Sequence, residues 1–222
     1  MKKERFEGTV VADARERIGV LEEILGEKPA TGLVNDAIVF CRNAVKWLRR
    51  FASMIDKAQE QLPGDRMRFA GADEKRTVCD TVHAFLEACE VLDFQALTAT
   101  FLAFDKRLPA VQAVLDRAAV ILDELRGARA ESALPSVKRL QKRLDKERAA
   151  LRNSVDICKS LRDPLVSFSF SIFPDFCARV DQNVDFDGDG AGGNPGAVQR
   201  SFVEMRAAID RLISILLKEV SF

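Results

Sequence analysis

The sequence is poor in the side chains that most often build binding and catalytic sites. It has no tyrosine, one tryptophan, Trp47, and one histidine, His83. Binding surfaces favour tyrosine and tryptophan because their rings combine apolar area with a polar group. The fifteen phenylalanines lack that group, so we expect them mostly in the core. A catalytic triad or a multi-histidine metal site would depend on His83 alone.

The motifs that mark common enzyme sites are also missing. The glycines between residues 188 and 193 are not followed by Lys-Ser or Lys-Thr, as a phosphate-binding loop requires, and no Gly-x-Ser-x-Gly occurs. Carboxylate pairs on the expected helices resemble ordinary surface charge. We therefore expect a protein that is not an enzyme and that carries no cofactor.

The chain lacks an excess of either charge, a signal region and a long apolar run. Thirty-four basic and thirty-four acidic residues cancel, so an electrostatic partner must be read from local patches. Residues 1–7 are mostly charged, unlike a secretory leader. The longest apolar clusters, 165–173 and 212–217, are shorter than the roughly 18 residues of a membrane span. We expect a soluble protein without a transmembrane segment.

The cysteines form no Cys-x-x-Cys pair and are odd in number: Cys41, Cys79, Cys89, Cys158 and Cys177. This pattern is typical of thiols in a reducing compartment, so the expected location is the cytoplasm. Cys79 and His83 lie four residues apart on one helix face, a spacing that can chelate zinc. No second local pair completes such a site, so we favour an ordinary helix surface here.

Seven-residue periodicity is abundant and predicts amphipathic helices. The clearest repeat runs from Leu97 to Leu125. Pro109 predicts either a kink, which the unbroken phase favours, or a new helix after Arg107. The helix that follows Pro135 is expected to end before Pro164. The predicted fold is all-α, a bundle of six or seven amphipathic helices that is partly coiled-coil-like.

One short segment, 166–172, is ambiguous between helix and strand. Its sequence Val-Ser-Phe-Ser-Phe-Ser-Ile alternates with period two, as a strand does. Asp163-Pro164 is a good start for a helix, and a single strand would have no partner, so we favour a helix broken at Pro174. A flexible acidic glycine-rich loop is expected at 184–194. We expect one helical domain over 1–222, with a possible weak division near 127–135.

The glycine-rich loop contains the first half of a calcium-binding pattern. Asp185, Asp187 and Asp189 match the first, third and fifth ligands of an EF-hand loop, and Gly190 matches its turn. Gly196 stands where a bidentate glutamate is needed. A solvated acidic loop is the favoured interpretation, and weak calcium binding is the alternative.

A second candidate site is a basic stripe on the helix after Pro135. Its cations are Lys138, Arg139, Lys142, Arg143 and Lys146, followed by Arg148 and Arg152. Such stripes can contact an anionic ligand, including phosphates of lipid or nucleic acid. A solvated helix face is the favoured interpretation. The stripe has no aromatic residues that would stack on bases, which argues against nucleic acid.

One segment resembles a known family. Phe85-Leu86-Glu87-Ala88-Cys89, with Phe101 and Asp105 downstream, is similar to the opening helices of glycolipid transfer proteins. The resemblance implies an all-helical fold that binds lipid between two helix layers. Trp47 and His83 precede the similar region instead of following it, and Pro109 replaces an expected asparagine. We therefore carry over no ligand residue and do not assign the family.

These patterns together predict a non-enzymatic helical interaction or scaffold protein. The expected partner is another protein or a second copy of this chain, and an amphipathic segment such as 209–222 could dock in a groove. The alternative function is binding of lipid or an anionic membrane surface through the basic stripe and an apolar pocket.

Overall fold

The computed structural model describes residues 2–62, 71–127, 134–184 and 194–220. Over these ranges the chain is helical and contains no strand, which confirms the predicted all-α class. The helices are α1 (Lys2–Gly26), α2 (Pro29–Glu60), α3 (Ala72–Glu90), α4 (Phe94–Asp105), α5 (Leu108–Gly127), α6 (Leu134–Ser167), α7 (Phe173–Val184) and α8 (Pro195–Val220). A π-helical turn, Phe168–Ile172, joins α6 to α7. None of the helices described here is both long and apolar enough to cross a bilayer.

The predicted number of six or seven helices is wrong, because the described ranges contain eight α-helices. One reason is that the long repeat divides at Lys106 and Arg107 into α4 and α5. A new helix after Arg107 therefore replaces the favoured kink. Pro109 becomes the second residue of α5. A backbone N–H at this position has no acceptor within the helix, so proline, which lacks the N–H, costs no hydrogen bond here.

The other difference lies around Pro164, because α6 runs through this proline instead of ending before it. The proline removes one backbone hydrogen bond from the helix. Leu161, Leu165 and Phe168 on both sides of it are almost fully buried. The burial of each such side chain is worth roughly 1.5–3 kcal/mol, which outweighs the lost bond and keeps the chain helical.

The ambiguous segment 166–172 is helical, as favoured, and contains the π-helical turn. Phe168 and Ser169 are buried, whereas Phe170 and Ser171 are exposed. Adjacent residues therefore face the same side, whereas in a strand they would face opposite sides, so the alternation of serine and apolar residues does not mark a strand. Ser169 donates a hydrogen bond to the Phe94 carbonyl at 2.9 Å, and its oxygen lies 2.6 Å from the Thr98 hydroxyl. The chain continues without a break at Pro174, the second residue of α7.

Side-chain caps define the starts of two helices. Asn194 Oδ1 accepts a hydrogen bond from the Ala197 N–H at 3.1 Å at the start of α8. Asp93 Oδ1 accepts one from the Ala96 N–H at 2.7 Å at the start of α4. Each cap satisfies a backbone donor that has no partner within the helix.

The chain forms two compact units, and unit one comprises 1–38 and 103–158. In this unit α1 packs against α5, and Arg17 on α1 forms an ion pair with Glu124 on α5. The core consists largely of leucine, namely Leu21, Leu25, Leu33, Leu115, Leu122, Leu140 and Leu144. The candidate basic stripe on α6 belongs to this unit.

Unit two comprises 39–102 and 159–222. In this unit α7 packs against α3 and α8. Its core is rich in phenylalanine, namely Phe51, Phe85, Phe94, Phe101, Phe168, Phe176 and Phe202. Most of the rings contact one another edge-on or tilted, for example Phe85 and Phe202 with centroids 4.8 Å apart, whereas Phe51 and Phe85 are stacked, and both arrangements are common in aromatic cores. The expectation of a single domain over 1–222 stays a prediction.

Candidate functional site

The basic stripe predicted from the sequence lies on α6 in unit one. The side chains of Lys138, Arg139, Lys142 and Lys146 are exposed, and Arg143 is half-buried. Residues four apart lie on the same face of an α-helix. Lys138, Lys142 and Lys146 therefore form one row, which we call the lysine row, and Arg139 and Arg143 form the row beside it.

Two arginines of the stripe are engaged within unit one. Arg139 forms an ion pair with Glu22 on α1, and Arg148 approaches Asp116 on α5 at 3.7 Å. The three members of the lysine row form no salt bridge with any residue that the structure describes. The arginines therefore link helices, whereas the lysines present their charges to the surroundings.

Glu147, which lies directly after the lysine row in sequence, points inward. Its side chain is 3% exposed, and Oε2 accepts hydrogen bonds of 2.9 Å from the N–H groups of Ala30 and Thr31. Oε1 accepts a 2.6 Å hydrogen bond from the Thr31 hydroxyl. The carboxylate thus caps the start of α2 and complements the positive end of its dipole.

The burial of Glu147 changes the charge of the α6 surface. Asp145 is the one exposed carboxylate between residues 138 and 152, all of which are described, and it accepts a hydrogen bond from Gln141 at 2.6 Å. The positive face is therefore less compensated than the sequence alone indicates.

The candidate calcium ligands Asp185, Asp187 and Asp189 lie outside the described residues. Their role stays a prediction. Among the residues that the structure does describe, no group of three or more His, Cys, Asp and Glu side chains is placed to hold a metal ion.

The Cys79 and His83 pair on α3 has the surroundings of an ordinary helix surface. His83 is exposed, and the half-buried Cys79 thiol donates a hydrogen bond to the Val184 carbonyl at 3.6 Å. Trp47, near the cations of α2, packs its ring edge against Phe94 with centroids 6.2 Å apart. Trp47 is 36% exposed, and this ring contact supports a packing role for it within unit two.

Sequence reasoning missed a second site, a cleft in unit two between α3 and α7. The cleft has a volume of about 370 Å³ and is lined by Leu86, Cys89 and Glu90 of α3 and by Phe173, Cys177 and Asp181 of α7. We call it the thiol cleft. Its two cysteines are far apart in the chain, and no spacing signal links them.

The thiols of the protein differ in their electrostatic surroundings. Burial and the nearby Glu219 carboxylate raise the pKa of Cys41 to about 12, which makes this thiol unreactive. Hydrogen bonding with Cys177 and burial raise the pKa of Cys89, and hydrogen bonding with Cys89 lowers the pKa of Cys177.

Comparison with known proteins gives no match to a family model, to a curated protein or to a solved structure. The partial resemblance to glycolipid transfer proteins thus receives no support from a family match. Function must be argued from the geometry of the two sites.

Proposed function

We propose that this is a non-enzymatic helical interaction protein whose lysine row on α6 binds an acidic segment of a partner protein. The observation that carries the proposal is the row itself: Lys138, Lys142 and Lys146 are exposed on one helix face, and none forms an ion pair with a described residue.

The lysine row does not stabilise the helix that carries it. Like charges four residues apart destabilise a helix by about 0.2–0.5 kcal/mol per pair. The nearest glutamate, Glu147, is engaged at the start of α2. An external anionic group would relieve the repulsion between the lysines, which supports a binding role for this face.

A protein partner is favoured over a membrane surface by the composition of the face. Helices that bind membranes insert large apolar side chains beside their cations, and α6 has no exposed large apolar side chain over its described residues 135–167. It also contains no aromatic residue between 134 and 167 on which nucleic-acid bases would stack. Binding of lipid or an anionic membrane surface is kept as the alternative.

The proposal includes a location and a mode of self-association. We place the protein in the cytoplasm, because all five cysteines are described and none forms a disulfide. A second copy of this chain is the second candidate partner, since heptad repeats suit coiled-coil contacts. Size-exclusion chromatography with light scattering measures this directly.

A charge-reversal experiment tests the lysine row. The probe is a fluorescent glutamate-rich peptide, and the test variant combines Lys138→Glu, Lys142→Glu and Lys146→Glu. The control variant combines Lys57→Glu, Lys106→Glu and Lys218→Glu, three exposed lysines on other helices or turns. We expect the test variant to lose about thirtyfold or more in affinity by anisotropy, and the control variant, with the same net charge, to lose much less.

Two outcomes would contradict the proposal. Equal weakening by the two variants would mean that the peptide responds to net charge and not to the lysine row. Binding to vesicles with phosphatidylserine, without binding to the peptide, would favour the membrane alternative. Both variants are checked first by circular dichroism, which should be unchanged because the substituted side chains are exposed.

A further inference from the structure

The thiol cleft combines two cysteines of different accessibility. Cys89 on α3 is 3% exposed, whereas Cys177 on α7 is half-buried and faces the cleft. Both line the same volume of about 370 Å³, on two helices that pack against each other. A small molecule that enters the cleft therefore reaches Cys177 more readily than Cys89.

The difference in accessibility gives the two thiols different chemical roles. Cys177 is accessible from the cleft, whereas Cys89 is buried, and its contact with Cys177 together with burial raises the pKa of Cys89. The thiolate is the nucleophilic form of cysteine. Cys177 is thus suited to attack an electrophile first, and Cys89 is suited to react with the product.

We propose that Cys177 and Cys89 form a peroxide-reactive dithiol site, in which Cys177 is oxidised by a small uncharged hydroperoxide and Cys89 then closes a disulfide. This activity is separate from the binding role of the lysine row, which belongs to unit one. The site accounts for two cysteines that the sequence presents as unrelated.

The first step forms a sulfur–oxygen bond. The Cys177 thiolate attacks one oxygen of hydrogen peroxide, the O–O bond breaks, and the leaving hydroxide takes up a proton to become water. Cys177 is then a sulfenic acid. Its sulfur has lost two electrons, and the peroxide has gained them.

The second step forms the disulfide. The Cys89 sulfur attacks the Cys177 sulfur, the S–O bond breaks, and the leaving hydroxide takes the Cys89 proton as a second water. In sum, two thiols and one hydrogen peroxide give one disulfide and two waters. A reducing compartment returns the pair to thiols by exchange with a small-molecule or protein thiol.

The rim of the cleft determines which oxidant is accepted. Glu90 and Asp181 line the cleft with exposed carboxylates. Their negative charge disfavours anionic oxidants such as a glutathione disulfide. The apolar side chains of Leu86 and Phe173 complete the lining. These surroundings favour hydrogen peroxide or a small organic hydroperoxide.

Peptide mapping of the oxidised protein tests the proposal. The reduced full-length chain is treated with a small excess of hydrogen peroxide, blocked with an alkylating agent, digested and analysed by mass spectrometry without reduction. We expect a cross-link between the peptides that contain Cys89 and Cys177, with a loss of two hydrogen atoms. Dithiothreitol should reverse this loss.

Two variants separate the roles of the thiols. Cys177→Ser should abolish the cross-link. Cys89→Ala should leave Cys177 as a sulfenic acid that dimedone traps. Cys79 is the internal control, because it is half-buried like Cys177 but does not line the cleft. We expect Cys177 to react about tenfold faster than Cys79 in the unmodified protein, because Cys177 faces the cleft whereas the Cys79 thiol donates a hydrogen bond to the Val184 carbonyl.

The result that would overturn the proposal is oxidation of Cys177 no faster than that of Cys79 in the unmodified protein, or a disulfide that does not join Cys89 to Cys177. Both results are measured on the unmodified protein, so they do not require that any cysteine variant folds. Cys41→Ser serves as a further control, because Cys41 is buried outside the cleft and its substitution should leave the cross-link in place.

Discussion

At the scale of single residues, Glu147 couples the fold of unit one to its surface charge. Its carboxylate is almost fully buried and accepts three hydrogen bonds at the start of α2. A buried charge is tolerated only where such partners replace the lost water. The sequence shows this position only as a polar gap in an apolar pattern, because Ala30 and Thr31 lie more than one hundred residues away.

The first prediction concerns this cap. Glu147→Ala removes all three hydrogen bonds and leaves two backbone N–H groups without their partner, so we expect a loss of about 2–3 kcal/mol in the free energy of unfolding. Urea denaturation followed by circular dichroism measures the loss. Asp145→Ala, an exposed change on the same helix, should cost less than about 0.5 kcal/mol. A similar cost for the two variants would contradict the capping role.

A second prediction concerns the buried hydroxyls beside the π-helical turn. Ser169→Ala removes the hydrogen bond to the Phe94 carbonyl and the contact with Thr98. We expect this change to cost about 1–2 kcal/mol. The matched control is Ser171→Ala, which lies two residues away and is exposed, and whose cost should stay below about 0.5 kcal/mol. Equal stability of the two variants in thermal unfolding would refute the role of Ser169.

At the scale of helices, the π-helical turn sets the orientation of α7. A π-helical turn behaves as an α-helix with one additional residue. Each residue of an α-helix advances the direction of its side chain by about 100°. Relative to an uninterrupted α-helix, the turn therefore rotates the faces of α7 by about 100°, and in this register Phe176 and Val180 are buried. Cys177 owes its place beside α3 to the same turn.

The third prediction removes that additional residue. Deletion of Phe170, whose ring is 52% exposed, should convert the turn to a regular α-helix without rotating α7. We expect the free energy of unfolding to change by less than about 1 kcal/mol. Deletion of Asp175, which is also exposed, rotates Phe176, Val180 and Val184 out of the core and should cost at least about 3 kcal/mol. Chemical denaturation of both deletions distinguishes them, and a larger loss for the Phe170 deletion would contradict this account.

The helices that the sequence predicts well are those with local start and stop signals. Asn194-Pro195 predicts the start of α8. The apolar repeat from about Thr31 to Leu62 predicts α2, which spans Pro29–Glu60, to within two residues at each end. The misses have non-local causes. Pro164 stays inside α6 because the residues around it are buried. The π-helical turn brings the Ser169 hydroxyl into hydrogen-bond contact with the Thr98 hydroxyl on α4. Neither effect has a signature in the segment concerned.

The candidate sites show the same division between local and non-local information. The lysine row is readable from its four-residue spacing on a predicted helix. The inward turn of Glu147 and the meeting of Cys89 with Cys177 depend on packing between distant segments. Cysteine spacing predicts close pairs and metal sites, but it carries no information on two thiols from different helices.

At the scale of the whole molecule, charge is balanced in number but uneven in placement. The thirty-four basic and thirty-four acidic residues cancel, yet the exposed surface of α6 over 138–152 retains a single carboxylate. Exposed charges more than about 10 Å apart are screened at about 0.1 M salt. The attraction of an acidic partner is therefore a local property of this face, and we expect its affinity to fall as salt rises.

Zero-length cross-linking with a carbodiimide tests this central claim most directly. The reagent joins the carboxylates of the bound glutamate-rich peptide to lysine amines in contact with them, and mass spectrometry identifies the linked lysines. We predict that Lys138, Lys142 and Lys146 carry most of the links and lose them at high salt. Links distributed equally over Lys57, Lys106, Lys218 and the lysine row would contradict the proposed function.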